Sequence, residues 1–192
     1  MSVATIDRGV TVATTADGLA GIADPATALA IWDRPLPPLL RDALAGLDCD
    51  RVDDIALDAV DAPLDAVLRA AGYPEAIVTP LAADIGLLLD RHAELTNSNR
   101  PALRLEVVET DACRRFHADY VTLRLLCAYV GPGTQWHRIA TPDAIEQVPT
   151  GAVALFKGRL LLDPPLLLHR SPPIEATGRR RLMLVIDTGH DP

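Results

Sequence analysis

At Pro101 the hydrophobic pattern of the chain changes period, and this change limits the possible folds more than any other feature. Ahead of it, Leu81, Ile85, Leu88 and His92 recur at helical spacing, one stripe of a helix expected from Thr79-Pro80 to about Leu95. Behind it, Leu103, Leu105 and Val107 alternate with Arg104, Glu106 and Val108, the period-2 signature of a half-buried strand. A 3.6-residue repeat followed by a 2-residue repeat predicts helices first and antiparallel strands afterwards.

Local signals fill in the two halves. Asp24-Pro25 reads as an N-cap and first helical residue leading into a helix over Ala26–Trp32. Pro35, Pro37 and Pro38 break that pattern before a second helix, Leu39 to Leu47, and Asp61-Ala62-Pro63 opens a third through Ala71. Residues 1–20 carry only a weak pattern, a frayed end or a loose edge strand around Val10-Thr11-Val12. In the second half, strands are expected over Tyr120–Val130, Ala152–Phe156, Leu166–His169 and Arg181–Asp187, with Gly131-Pro132-Gly133 as a turn. The reading is one compact α+β domain: a mostly helical part, 1–100, bracing a β core, 101–192.

Composition narrows the function classes. With 49% hydrophobic but only 4% aromatic residues, the core must be built from Leu, Val, Ile and Ala. A net charge of −8 argues against a nucleic-acid partner, which needs a basic surface, but leaves room for a small anion at a local arginine cluster. Cys49, Cys113 and Cys127 are odd in number and lack Cys-x-x-Cys spacing, so reduced thiols and a cytoplasmic setting are expected. No apolar run reaches the roughly 20 residues of a membrane span, so no membrane partner is expected.

The chemistry-bearing pair is His117-x-Asp119. On an extended segment, residues i and i+2 face the same side, so imidazole and carboxylate can reach one metal ion. His169 is the best candidate for a third ligand, with His137 in reserve. Two His and one carboxylate with open positions opposite is the arrangement of non-haem Fe(II) oxygenases. The pair alone decides little, since 5 His and 20 Asp in 192 residues give roughly half an occurrence by chance. The order of the elements after it is more telling: a strand, a Gly-Pro-Gly turn, Gly151-Ala-Val-Ala-Leu-Phe156, His169, and then Arg179-Arg180-Arg181 ten to twelve residues later.

That ordered set resembles the double-stranded β-helix Fe(II)/2-oxoglutarate oxygenases, over about residues 101–188. Within that pattern the chain is similar to the bacterial DUF1826 family, on Ala30-Ile31-Trp32, Arg34-Pro35-Leu36-Pro37, Phe116-His117-Ala118-Asp119, Leu123-Arg124-Leu125-Leu126, Gly131-Pro132-Gly133-Thr134 and His169-Arg170-Ser171-Pro172-Pro173. The resemblance implies a jelly-roll (cupin-like) core with the N-terminal helices packed against it. It also implies Fe(II) on His117, Asp119 and His169, 2-oxoglutarate as cosubstrate, and a substrate that is a small molecule or is left unidentified. The far carboxylate of the cosubstrate needs a fixed cation, for which Arg is suited by its planar fork. By parity Arg181 shares a face with Met183 and Val185, and Arg180 shares one with Leu182 and Leu184; Arg181 is favoured because it directly abuts the strand pattern, with Arg180 as reserve and Arg179 the remaining candidate.

The family's association with zinc-limitation gene sets gives a second expectation, a non-catalytic zinc-binding accessory protein on the same fold. A structural β-domain with no site is the third. Tyr129 and Thr134 are candidates to line the pocket, with packing and turn formation as their alternative roles. Arg170 is a candidate partner for a carboxylate near His169. Lys157, the single lysine, is an exposed strand end or a pocket residue, and Cys113 and Cys127 are buried thiols or zinc ligands. The chain has no Gly-x-Ser-x-Gly elbow, no phosphate-binding glycine loop with Lys-Ser/Thr, no dinucleotide fingerprint and no His-Glu-x-x-His.

Overall fold

The computed structural model describes residues 5–7, 9–98 and 100–188. Eleven strands among these residues form two sheets: β1 (Thr5–Asp7), β2 (Val10–Ala13), β3 (Leu29–Trp32), β4 (Ile55–Leu57), β5 (Pro101–Val108), β6 (Leu123–Val130), β7 (Gln135–Arg138), β8 (Glu146–Gln147), β9 (Val153–Lys157), β10 (Leu167–Arg170) and β11 (Arg181–Thr188). Three α-helices, α1 (Pro38–Leu44), α2 (Leu64–Ala70) and α3 (Glu75–Thr96), lie between β3 and β5. The large sheet has the order β1-β2-β3-β9-β6-β11-β5-β4, and the small one β10-β7-β8.

The parity of the long strands sorts the interior into two cores. Leu103, Leu105, Leu125, Cys127, Leu155, Leu182, Leu184 and Ile186 face the helices, where they pack against Leu81, Ile85 and Leu88 of α3. The alternate residues, Leu126, Ala128, Ala154, Phe156, Met183 and Val185, pack against Trp136 and Leu167 of the small sheet. Register places Leu126 beside Val185 and Leu125 beside Ile186, so a slip of one residue would exchange the two cores. This is an α+β fold with a jelly-roll core and helices on the outer face of its large sheet.

The first hundred residues are less helical than their sequence suggests. The expected helix over Ala26–Trp32 is instead β3, paired in parallel with β2 and antiparallel with β9. Asp24 still caps, but a turn: its Oδ1 accepts from Ala26 N at 2.8 Å. Leu29-Ala30-Ile31-Trp32 is a short apolar run whose periodicity fits either element, and burial between two strands decides for the sheet. The large sheet therefore draws strands from both sides of residue 100.

The other helices sit near their expected places, except that α3 begins one turn early, at Glu75, and carries Pro80 inside it. Leu81, Ile85, Leu88 and His92 are all buried, as the stripe requires. Val10–Ala13 is an inner strand rather than a loose edge, while the expected fraying of the N-terminus falls partly on residues 1–4 and 8, outside those described. No helix among the described residues is long and apolar enough to cross a membrane.

Candidate metal centre

His117 lies on the loop between β5 and β6, yet its backbone behaves as a strand. It forms an isolated bridge with His169, His117 N to His169 O at 3.0 Å and the reverse at 2.9 Å. A neighbouring clamp holds this loop on the small sheet. Phe116 packs edge-on against His137 with ring centroids 4.3 Å apart, and the Arg170 guanidinium lies 4.3 Å over the Phe116 ring. Asp111, earlier on the loop, accepts from Ile174 N at 2.7 Å and Glu175 N at 3.1 Å. The two histidines are thus brought together by backbone pairing, with ring centroids 4.8 Å apart.

Asp119 completes the cluster. The donor atoms of His117, Asp119 and His169 lie within 4.8 Å of one another. Asp119 Oδ2 is 3.0 Å from His169 Nε2, and Oδ1 is 3.6 Å from His117 Nε2. Donors bound at about 2.1 Å in adjacent positions around one ion stand about 3 Å apart, close to the two carboxylate–imidazole spacings of 3.0 and 3.6 Å. Two further observations agree with that fit. His117 Nδ1 lies 2.9 Å from the Arg115 carbonyl; with its proton there, the Nε2 lone pair faces the cluster. Asp119 Oδ2 is buried and, despite its approach to His169, makes no well-formed hydrogen bond, an uncommon state for a carboxylate oxygen that a cation would relieve.

The charge states follow from the surroundings. Burial alone would raise the Asp119 carboxyl, but His117, His169 and the Arg124 cation outweigh it and hold the group well below the usual carboxylate range. Burial lowers His169, and the pull of Asp119 only partly offsets this. Asp119 raises His117, which is 39% exposed and marks the open side of the cluster.

A cavity of about 370 Å³ runs from His117 and His169 between the two sheets, past Leu126, Met183 and Val185, to Arg181. Arg181 is 1% exposed. Its guanidinium donates to Pro132 O and Ser171 Oγ, both at 2.7 Å, and approaches Met183 Sδ at 3.3 Å. All three partners are neutral, and no carboxylate among the described residues pairs with it. Burial consequently lowers this arginine to about 10. The Gly131-Pro132-Gly133 turn supplies the Pro132 carbonyl. A Cβ at Gly131, where φ is +75°, would lie 2.3 Å from Arg180 O and 3.0 Å from Arg181 Cγ, so only glycine lets the turn come this close.

Other candidates fall elsewhere. Tyr129 does not reach the cavity: it sits on the helix face, and its hydroxyl donates to Asp84 at 2.8 Å. Arg180 does not line the cavity and pairs with Asp50 and with Glu109, and Arg179 is exposed. Strand parity accounts for Tyr129, one residue out of step with the cavity-lining Arg124 and Leu126 of β6, and Arg180 precedes β11, one residue out of step with Arg181, Met183 and Val185. Thr134 lines the cavity. Lys157 does not; it donates to Asp24 O at 2.6 Å. His137 packs on Phe116, and Arg170 donates to Gln135 Oε1 at 2.9 Å rather than to a carboxylate. Cys127 is buried in the helix-side core, whereas Cys113 is exposed at the cavity wall.

Ser171, the Pro132 carbonyl and Arg124 are site groups that motif and spacing do not reveal. Arg124 did leave a signal, as the single charged residue of β6, because a charge in a buried strand requires a partner.

The family described as "Protein of unknown function (DUF1826)" matches residues 13–187. The chain belongs to the DUF1826 family. A search of curated proteins finds no match. Among solved structures, the rice dioxygenase for auxin oxidation has a TM-score of 0.56 at 15% identity, with 90% of this DUF1826 chain and 78% of that one covered. A Pseudomonas putida prolyl-4-hydroxylase has a TM-score of 0.51 at 16% identity, over 91% and 99%. A full-length Neurospora crassa protein solved in complex with alpha-KG has a TM-score of 0.51 at 14% identity, over 98% and 88%. At such identities the likeness establishes the jelly-roll fold that this DUF1826 protein shares with these oxygenase structures.

Proposed function

We propose that this DUF1826 protein is an Fe(II)/2-oxoglutarate-dependent oxygenase acting on a small organic substrate. The observation that carries the reading is a cavity that joins His117 and His169 of the two-histidine, one-carboxylate cluster to a buried arginine that pairs with no carboxylate among the described residues. In this reading His117, Asp119 and His169 hold Fe(II), which with 2-oxoglutarate supplies oxidation by dioxygen. Arg181 receives the far carboxylate of the cosubstrate through its planar fork, gaining the anion that its own fold withholds. Ser171 and the Pro132 carbonyl fix the plane of that fork in advance, so little order is lost on binding. Leu126, Met183 and Val185 form the apolar part of the wall between the two ends. The exposed edge of His117 is the side from which a substrate approaches.

The test is 2-oxoglutarate turnover to succinate by the anaerobically iron-loaded chain on admission of oxygen, together with the visible charge-transfer band expected of bidentate cosubstrate on such iron. Both should vanish in His169→Ala. Tight zinc binding, with neither band nor 2-oxoglutarate binding, would overturn the reading.

A further inference from the structure

A chain of charged side chains is joined behind the ligand cluster, with Asp119, Arg124 and Asp187 nearest to it. The Arg124 guanidinium donates through Nε and Nη2 to the two oxygens of Asp187, each at 2.7 Å. Its Nη1 lies 2.7 Å from Asp119 Oδ1. Register accounts for the first two contacts, since Arg124 and Asp187 are direct cross-strand neighbours on β6 and β11. It does not account for the third, because Asp119 lies on the loop before β6, outside either sheet. The backbone carbonyl of Asp119 adds an anchor of its own, accepting from Arg159 N at 2.8 Å.

We propose that Arg124, itself held by Asp187, is a positioning residue that occupies Asp119 Oδ1 and so presents Oδ2 alone to the metal. This rests on the metal-centre reading above. A free carboxylate can bind an ion through one oxygen or both, and it can rotate between them. With Oδ1 engaged by a charge-assisted bond, rotation stops and one coordination position stays open for another ligand. A lone cation beside a metal site would oppose metal binding; Asp187, whose Oδ2 also lies 3.9 Å from Arg104 Nη2, offsets that charge while keeping the guanidinium in place. Arginine suits this place, because its planar fork reaches both oxygens of Asp187 and one of Asp119 in fixed directions, whereas a lysine ammonium is a compact point charge. Strand β11 thereby sets both ends of the cavity, through Arg181 near its start and Asp187 near its end.

Co(II) is the probe, titrated into the metal-free full chain, with affinity taken from competition and coordination from the visible d–d bands. Arg124→Lys and Asp187→Asn should each weaken Co(II) binding about 10- to 100-fold and alter the bands, as loss of an outer partner of a metal ligand does. Circular dichroism melts show which variants are folded, and Asp187→Asn decides if Arg124→Lys is not. Wild-type bands with unchanged or tighter binding in a folded variant would overturn the positioning role while leaving the metal centre intact. Failure of the wild-type chain itself to bind Co(II) would overturn both.

Discussion

The two faces of the large sheet each bury an arginine, and they satisfy it in different ways. On the helix face Arg34, 8% exposed, forms a bidentate pair with Asp84 at 2.6 and 2.7 Å. Its Nε donates to Gly151 O at 3.2 Å, and Tyr129 donates to the same carboxylate. Burial opposes the charge of Arg34, but Asp84 more than restores it, and its pKa is raised. On the cavity face Arg181 has only neutral acceptors, and burial lowers it. The contrast separates a closed network from an open one. Arg34 ties α3 to the sheet and leaves nothing for a ligand to gain, whereas Arg181 keeps an unmet charge where an anion can enter.

The largest effect expected from this contrast is on the closed side. Asp84→Ala strands a buried cation and removes the acceptor of Tyr129, which should cost about 3–5 kcal/mol in urea unfolding. The double variant Arg34→Met/Asp84→Leu should recover much of that loss, because the pair is replaced rather than broken. A double variant as unstable as Asp84→Ala would break the comparison.

The open side should respond in the opposite sense. Arg181→Met removes a charge that has no counter-charge and leaves one carbonyl and one hydroxyl to find new partners. Its unfolding free energy should change by about 1–3 kcal/mol at most. Calorimetric binding of 2-oxoglutarate to the metal-loaded chain should instead weaken by about 2–5 kcal/mol, roughly 30-fold or more. Loss of stability on the scale of Asp84→Ala, with binding intact, would make Arg181 a structural residue like Arg34.

The smallest expected effect concerns His92, fully buried on the helix face, where burial lowers its pKa from 6.5. Below pH 6.5 the unfolded chain takes up a proton that the folded chain refuses. The contribution of His92 to stability is therefore complete above pH 6.5 and is lost as the pH falls through the lower folded value. Unfolding curves of His92→Leu between pH 7 and 5 should be flatter than those of the wild type. Equal slopes would show that His92 does not contribute to this acid response.

Legibility in the sequence tracks the range of the interactions. The alternation Leu103-Leu105, Leu125-Cys127 and Leu182-Leu184 against Leu126-Ala128 and Met183-Val185 already separates two buried faces, because strand geometry forces successive side chains apart. The same rule puts Arg181 with Met183 and, applied one strand over, puts Tyr129 on the wrong side for a pocket. By contrast, Leu29–Trp32 is a strand because β2 and β9 lie on either side of it, a fact absent from four apolar residues read alone.

For the site, the sequence determined the donor types and the two-residue spacing of His117 and Asp119, and it placed His169 on a strand. Tertiary structure decided the rest. Backbone pairing across about fifty residues brought the two histidines together, and the Gly131 turn delivered a carbonyl to Arg181. A cross-strand register put Asp187 behind Arg124. Local geometry is written in neighbouring residues, whereas a buried charge is satisfied by whichever group the fold brings within hydrogen-bond reach.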